Sequence, residues 1–166
     1  MGIALIYYSR TGTTREVAKY VEGKLREHKL SVNTYELKLV REYSKPLHLN
    51  PRLITDVLFG KLVNYVGDER FNPEVYDLVI IGTPIWVGSI TPPVRSFIYR
   101  YRGLIKAPII CFTTSLMSKD YSRKFRDILE RLGYRVVMNF SVMDGVSRSR
   151  ETIELIVREV LKILSI

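Results

Sequence analysis

Two kinds of segment alternate along this chain, and the alternation restricts the folds open to it. The predicted strands are short, mostly apolar runs at 3–8, 31–37, 77–82, 108–113 and 135–142. The predicted helices have apolar residues at helical spacing and lie at 13–27, from Thr91 to about Tyr101, at 118–132 and at 153–164. The run DLVIIG at 77–82 is continuous, as in a strand buried on both faces. This alternation predicts a five-stranded, mostly parallel sheet with helices on both faces, a three-layer α/β fold.

The length of 166 residues suits a single domain over 1–166, with one extended irregular segment at about 38–76. That segment is too long for a simple crossover between neighbouring strands. Within it, Asn50 and Pro51 favour the start of a helix, because asparagine caps a helix and proline suits its first position. Apolar residues from Leu53 to Tyr65 then keep helical spacing. We expect a helix here and loop elsewhere in the segment.

Composition excludes several classes of protein. Apolar residues make up 46% of the chain and charged residues 26%, which argues against disorder. No apolar stretch reaches the ~20 residues of a membrane-spanning helix. The single cysteine, Cys111, excludes an internal disulfide and a metal cage of paired thiolates. The chain enters its first strand without a signal-like leader, so the sequence predicts a cytoplasmic protein. With one cysteine and two histidines far apart, His28 and His48, no bound metal is expected.

A formal net charge of +9 predicts attraction to acidic partners. Nucleic acid, anionic proteins and phosphorylated small molecules all fit that charge. The basic residues are scattered over predicted helices, and no known nucleic-acid-binding motif organises them. A basic nucleic-acid-binding module is therefore the alternative from another functional class, and it is not the favoured one.

The loop after the first strand has the composition of a phosphate-binding turn. Its residues are Ser9, Arg10, Thr11, Gly12, Thr13 and Thr14. Hydroxyls, a glycine and the amides at a helix N-terminus together suit a phosphate dianion. The alternative is an ordinary helix cap, although a cap needs one hydroxyl and not four. The nucleotide-triphosphate loop and the dinucleotide fingerprint are both absent.

The loop after the third strand carries the only tryptophan of the chain. Its residues are Thr83, Pro84, Ile85, Trp86, Val87 and Gly88. An indole beyond the end of a strand is exposed unless something flat covers it, and an aromatic ring system is a natural cover. The alternative is that Trp86 folds inward or covers the 38–76 segment. The loop after the fourth strand, Thr113, Thr114 and Ser115, adds hydroxyl donors at the same edge of the sheet.

The motifs S-R-T-G-T-T after strand one and G-T-P-I-W-V-G after strand three resemble those of the flavodoxin-like FMN-binding proteins. The resemblance covers nearly the whole chain, and it implies the strand order 2-1-3-4-5 with FMN between strands one and three. It implies that Ser9, Thr11, Gly12, Thr13 and Thr14, with the backbone amide of Arg10, bind the FMN phosphate. It implies that Trp86 flanks the isoalloxazine, that Pro84, Ile85, Val87 and Gly88 shape its pocket, and that Thr113 to Ser115 approach the pyrimidine side.

Three further expectations follow from the resemblance. Tyr121 is expected on the surface of its helix, and the alternative places it against the flavin face opposite Trp86. The 38–76 segment is expected to cover the dimethylbenzene edge or to form a homodimer surface. An acidic redox partner protein is expected to dock on basic residues of the helices that flank the site, namely Arg95, Arg100, Arg102, Lys119, Arg123 and Lys124.

The resemblance implies a redox protein that transfers electrons through FMN, and it leaves the reaction open. An electron carrier is slightly favoured, because the chain has no second domain for a nicotinamide. The alternative is an FMN-dependent oxidoreductase that acts on NAD(P)H, a quinone or a porphyrinogen. No catalytic side chain is expected in either case, because the flavin itself exchanges the electrons.

Overall fold

Five long parallel strands form the centre of the computed structural model, which describes residues 2–143 and 146–164. The strands are β1 (Gly2–Tyr8), β2 (Ser31–Leu39), β3 (Tyr65–Val66), β4 (Leu78–Trp86), β5 (Ser89–Ile90), β6 (Ile109–Ser115) and β7 (Val136–Met143). The helices are α1 (Thr13–Glu27), α2 (Pro51–Leu58), α3 (Pro92–Arg100), α4 (Ser122–Arg131) and α5 (Val146–Ile163), and a short 3₁₀ turn lies at Leu47–Leu49.

The order of the long strands is β2-β1-β4-β6-β7, and each neighbouring pair is parallel. If only the five long strands are numbered along the chain, this order is 2-1-3-4-5. The predicted fold is therefore confirmed. Two short antiparallel strands were not predicted. The two residues of β3 pair with the end of β2, and the two residues of β5 pair with the end of β4.

Alternate residues of β1 point to opposite faces of the sheet, and each face is covered by helices. Ile3 and Leu5 pack in a core with α1 and α5. Ala4 and Ile6 pack in a second core with α2, α3 and α4. This arrangement confirms the predicted three layers. Among the described residues, no helix combines the length and the apolar character needed to cross a membrane.

Helix α2 begins as predicted but ends early. The Asn50 side chain accepts a hydrogen bond from the Leu53 amide at 3.1 Å, and Pro51 is the first helical residue. The helix ends at Leu58, followed by Gly60 in the left-handed region at φ 61°. Helical spacing that continues to Tyr65 was therefore misleading, because the chain turns there to place β3 beside β2.

Helix α4 begins four residues later than predicted, at Ser122 instead of Ser118. The Asp120 carboxylate accepts hydrogen bonds from the Ser122 amide at 2.8 Å and from the Ser122 hydroxyl at 2.6 Å. Because the Asp120 side chain binds the first residue of α4, the helix does not extend further towards the N-terminus. Residues 116–121 are thereby free to form a loop after β6.

Candidate functional site

A cavity of about 230 Å³ lies at the carboxyl ends of β1, β4 and β6. It is lined by Ser9, Arg10, Thr11, Thr13, Thr14, Leu47, Pro84, Ile85, Trp86, Thr114, Ser115 and Leu116. Strand order reverses between β1 and β4, since β1 leads to β2 on one side and β4 lies on the other. Open α/β sheets bind ligands at this kind of switch point. The three loops singled out in the sequence therefore meet at one cavity.

The first loop leaves the N-terminus of α1 without a side-chain cap. Gly12 precedes the helix with φ 103°, a conformation that favours glycine. Its amide donates a hydrogen bond to the Ser9 hydroxyl at 3.2 Å, which tightens the turn. No side chain accepts from the first amides of α1. One hydroxyl, that of Ser9, therefore bonds at the helix start, while the first amides of α1 itself keep donors and a positive dipole beside the cavity.

A buried hydroxyl pair joins the first loop to the third. The Oγ1 atoms of Thr14 and Thr114 are 2.7 Å apart, and both side chains are buried. Because Thr14 lies in the first turn of α1 and Thr114 near the end of β6, this bond fixes the helix end against the sheet.

Arg10 extends the site towards the 38–76 segment. Its guanidinium donates to the carbonyl oxygen of Tyr43 at 2.7 Å and to the carboxylate of Glu42 at 3.3 Å. The sequence predicted a role for its backbone amide only. The Tyr8 hydroxyl lies 3.4 Å from the same carboxylate, and burial together with the charge of Glu42 raises the Tyr8 pKa above its usual range. Tyr8 therefore stays neutral at physiological pH.

Trp86 is the last residue of β4, and its half-buried side chain lines the cavity. The indole meets Tyr8 edge to face at a centroid distance of 5.4 Å and Tyr43 at 6.0 Å. Tyr43 belongs to the 38–76 segment, and its hydroxyl donates to Asp56 at 2.8 Å. The indole therefore faces the cavity, as predicted, and also covers part of the 38–76 segment, as the alternative held. Two perpendicular rings hold it in a fixed orientation.

Two predicted threonines do not line the cavity. The Thr83 hydroxyl accepts from the Thr91 amide at 3.2 Å and pairs with the Thr91 hydroxyl at 3.0 Å. The Thr113 hydroxyl pairs with Ser141 at 2.8 Å. Both threonines are buried, so they fasten the ends of β4 and β6. Side chains alternate across a strand, which is why each points away from its cavity-lining neighbour.

The turn between β4 and β5 also lies outside the cavity lining. Val87 and Gly88 have φ angles of 49° and 69°, and Trp86 pairs with Ser89 across them. Two consecutive left-handed residues form the tight turn that matches the twist of a hairpin. The Gly88 carbonyl accepts a hydrogen bond from Lys124 Nζ at 2.8 Å. Gly12 likewise acts through its backbone and lines no part of the cavity.

Sequence reasoning missed two leucines of the cavity wall and misplaced one tyrosine. Leu47 lies in the 3₁₀ turn, and Leu116 follows β6 with 87% of its surface exposed. An apolar Leu-Met pair directly after a strand was the available signal for Leu116. Tyr121 was expected on a helix surface but is buried, with its hydroxyl 3.7 Å from the Met117 sulfur.

Asp120 organises the loop that carries Leu116. Its carboxylate accepts from Ser122 and from the Ser141 hydroxyl at 2.7 Å, and Ser141 also pairs with Thr113. Burial alone would raise the pKa of Asp120, but these hydrogen bonds outweigh burial and lower it. The carboxylate therefore stays ionised and keeps its acceptor role at neutral pH.

The cavity lining suits binding more than acid–base chemistry. Arg10 is its one ionisable residue within the described chain. The described residues also contain no group of histidine, cysteine or acidic side chains arranged to hold a metal ion. The lining combines hydroxyls and a helix N-terminus with an indole, a proline and aliphatic side chains. This set fits a ligand with an anionic end and a flat apolar end.

The parallel sheet and the cavity at its switch point define a protein of the flavodoxin type. The sequence pattern of the flavodoxin domain matches residues 53–159, and the chain belongs to that family. No curated protein sequence matches the chain.

Several solved structures share this fold. The flavoprotein of Lactobacillus acidophilus NCFM, solved in complex with FMN, has 16% identity and a TM-score of 0.63, covering 90% of this chain and 96% of its own. A candidate flavoprotein of Bacteroides uniformis ATCC 8492 has 21% identity and a TM-score of 0.70, covering 94% and 97%. A flavodoxin from the domain Archaea has 14% identity and a TM-score of 0.64, covering 98% and 99%. At these identities the likeness shows the fold alone.

Proposed function

We propose that this protein binds FMN and transfers electrons through it. The observation that carries the proposal is the cavity, which is lined both by a hydroxyl-rich helix N-terminus without a side-chain cap and by the only tryptophan of the chain. Membership of the flavodoxin domain family supports it. The Lactobacillus acidophilus flavoprotein, which has the same fold, was solved with FMN.

The residues present fit the phosphate of FMN. Ser9, Thr11 and Thr13 supply hydroxyls, and the first turn of α1 supplies amides and a positive dipole. No carboxylate belongs to the described cavity lining, so nothing there repels a dianion. Arg10 adds a positive charge that its bonds to Tyr43 and Glu42 hold in place.

The opposite end fits the ring system. Trp86, Pro84 and Ile85 provide an apolar wall at the end of β4, while Leu47 and Leu116 border the same space. Thr114 and Ser115 place hydroxyls beside it. Ligand cavities usually measure roughly 300–1,000 Å³, so a cavity of 230 Å³ leaves part of a mononucleotide in contact with solvent. Partial exposure suits a group that exchanges electrons with another molecule.

Bound FMN supplies the electron and hydride chemistry, and the chain supplies affinity, orientation and control of solvent. Trp86 and its tyrosine neighbours exclude water from one side of the cavity. The Thr14–Thr114 bond keeps the phosphate end and the ring end at a fixed separation. We favour a carrier that serves protein partners, because the described cavity lining contains no second set of anion donors for a nicotinamide nucleotide.

The first test is the identity of any cofactor that copurifies with the protein. We expect a yellow protein that releases one FMN per chain, identified by mass, and that is reversibly bleached by dithionite. Mixing the oxidised protein with NADPH then separates the two redox roles. A carrier stays yellow without an added reductase, whereas rapid bleaching identifies a direct NAD(P)H oxidoreductase. Colourless protein that does not take up FMN refutes the proposal.

A further inference from the structure

A second groove lies beside the cavity, on the side of the β4–β5 turn. The end of α2, this turn, α3 and α4 form its walls, and its volume is about 390 Å³. Trp86 lines the cavity, and the next residue, Val87, lines the groove. Whatever binds in the groove therefore contacts the turn that carries the indole.

Three apolar side chains of this groove are unusually exposed. Phe59 is 77% exposed, Leu58 66% and Val87 47%. A single exposed apolar residue is ordinary, but these three converge on one groove. Converging apolar side chains bordered by charge are typical of an interface with another protein.

Val87 also occupies a backbone position that valine disfavours. Its φ is 49°, and a β-branched side chain in the left-handed region is a strained outlier. Turns of this kind usually carry asparagine or glycine at that position. Val87 is 47% exposed, so packing within the chain compensates little for this strain.

The groove carries two cations and no acid. Arg95 Nη2 lies 3.3 Å from the Ser89 hydroxyl, and Lys124 Nζ donates to the Gly88 carbonyl. Neither cation has a carboxylate within 4.0 Å among the described residues, and the described groove lining contains no aspartate or glutamate. With the net charge of +9, this arrangement favours a negatively charged partner.

We propose that the groove docks an acidic electron-transfer protein, whose carboxylates meet Arg95 and Lys124 and whose apolar contact residue packs against Phe59 and Val87. The inference rests on the proposed redox function and adds the place and the chemistry of the partner. A partner docked in the groove lies next to the turn that follows Trp86. Electrons then have a short distance to travel between the cavity and the partner.

The probe is one haem protein in two charge forms, native cytochrome c, which is basic, and succinylated cytochrome c, which is acidic. Chemically reduced, FMN-loaded protein is mixed with each form, and haem reduction is followed by absorbance. The groove variant is R95Q/K124Q. The control is K19Q/R158Q on α1 and α5, which cover the opposite face of the sheet. Both variants lower the net charge equally, from +9 to +7.

We expect the wild type to reduce the acidic form faster than the basic form at low ionic strength, and salt to weaken the preference. R95Q/K124Q is expected to lower the ratio of the two rates about 10-fold, and K19Q/R158Q less than 2-fold. A variant that merely folds poorly slows both forms and leaves the ratio unchanged. Equal loss of preference in both variants overturns the proposal, and so does an unchanged ratio in an R95Q/K124Q protein that still reduces the basic form at the wild-type rate.

V87N tests the apolar part of the interface, because asparagine accepts the turn and removes the apolar contact. We expect V87N to raise the thermal midpoint and to weaken binding of succinylated cytochrome c about 5-fold, measured by calorimetry. Unchanged binding with a raised midpoint overturns the apolar role.

Calorimetry on the chain without FMN separates this proposal from the redox function. If the chain takes up no FMN but binds the acidic form with the same dependence on Arg95 and Lys124, the redox proposal fails and the acidic docking surface stands. If the wild type sediments as a dimer and R95Q/K124Q sediments as a monomer, a second copy of the chain fills the groove. That result overturns the proposal.

Discussion

The loop at 9–14 and the turn at 86–89 follow neighbouring strands, yet they depart from ordinary local structure in opposite ways. The first loop is polar and rich in hydroxyls, and it ends in a helix whose first amides lack a side-chain cap. The second is a two-residue turn that carries exposed apolar surface and a strained valine. The first therefore leaves hydrogen-bonding capacity unused, and the second stores backbone strain.

Both segments accept a local loss of stability at the carboxyl edge of the sheet, where the cavity and the groove lie. A helix start with glycine in place of a capping side chain costs roughly a few tenths of a kcal/mol, and a strained residue costs about 1–3 kcal/mol. Such costs are typical of functional sites, where a ligand or partner compensates for them. The two departures predict different consequences of mutation, since the first should affect a bound anion and the second should affect stability.

Replacement of the indole is expected to have the largest effect. Trp86→Leu removes the aromatic wall, and ring stacking contributes about 1–3 kcal/mol. We expect the affinity for FMN to fall about 100-fold, measured by fluorescence of the flavin on titration. Tyr20→Leu, on the opposite face of the sheet, is the control and should leave the affinity unchanged. An affinity for FMN that survives in Trp86→Leu would show that the indole is not part of the cofactor site.

Gly12→Ala should have the next largest effect. No atom lies within 4 Å of the added Cβ, so the cost arises from the φ of 103°. Gly133→Ala is a matched control, because Gly133 also has a positive φ of 89° and no atom nearby. We expect both variants to lose about 1 kcal/mol of unfolding free energy in urea. Gly12→Ala alone should weaken FMN binding, by about 10-fold, because its turn orders the phosphate donors. Equal FMN affinities in the two variants would contradict this assignment.

Val87→Asn should stabilise the free protein. Removing the strain of a valine at φ 49° is expected to add about 1 kcal/mol to the unfolding free energy. Val75→Asn is the control, because Val75 is 59% exposed and its φ is not positive. A stability gain in the control as large as in Val87→Asn would show that strain at the turn is not the cause.

The smallest effect concerns the body of the fold and not the binding edge. Burial raises the pKa of Tyr101 to about 12, and the charge of Asp68 adds to the effect. A raised pKa means that the folded state holds the proton more tightly than the unfolded state, so stability is full below pH 10 and falls between pH 10 and 12. Tyr101→Phe should reduce the loss of unfolding free energy between pH 10 and 12. The control Tyr99→Phe, at an exposed tyrosine, should leave it unchanged. The measurement is urea unfolding at stepped pH, and an unchanged slope in Tyr101→Phe would contradict the prediction.

Local patterns predicted the long elements well. Helix α1 has the predicted bounds, Thr13–Glu27. Its apolar residues keep helical spacing over that whole range, and Gly12 precedes its first residue. The five long strands and their layers were also predictable, since buried parallel strands leave strong apolar runs. The two-residue strands β3 and β5 leave no such signal, because they exist through pairing with β2 and β4.

The site was predicted in part for the same reason. Loops that end adjacent parallel strands meet at one edge, so Ser9, Trp86 and Thr114 line one cavity. Leu47 joins them through the fold of the 38–76 segment, and it precedes the only residues of that segment with helical spacing. Strand alternation turns Thr83 and Thr113 inward, which composition alone does not indicate.

The most direct test of the central claim is titration of the cofactor-free protein with FMN while the fluorescence of Trp86 is followed. This indole is the only one in the chain, so the signal reports on the cavity wall alone. The account predicts saturable quenching with one FMN per chain and a Kd at or below about 1 μM, equivalent to roughly 8 kcal/mol of binding free energy. Unquenched fluorescence at an FMN concentration of about 100 μM, in protein shown to be folded, would contradict it.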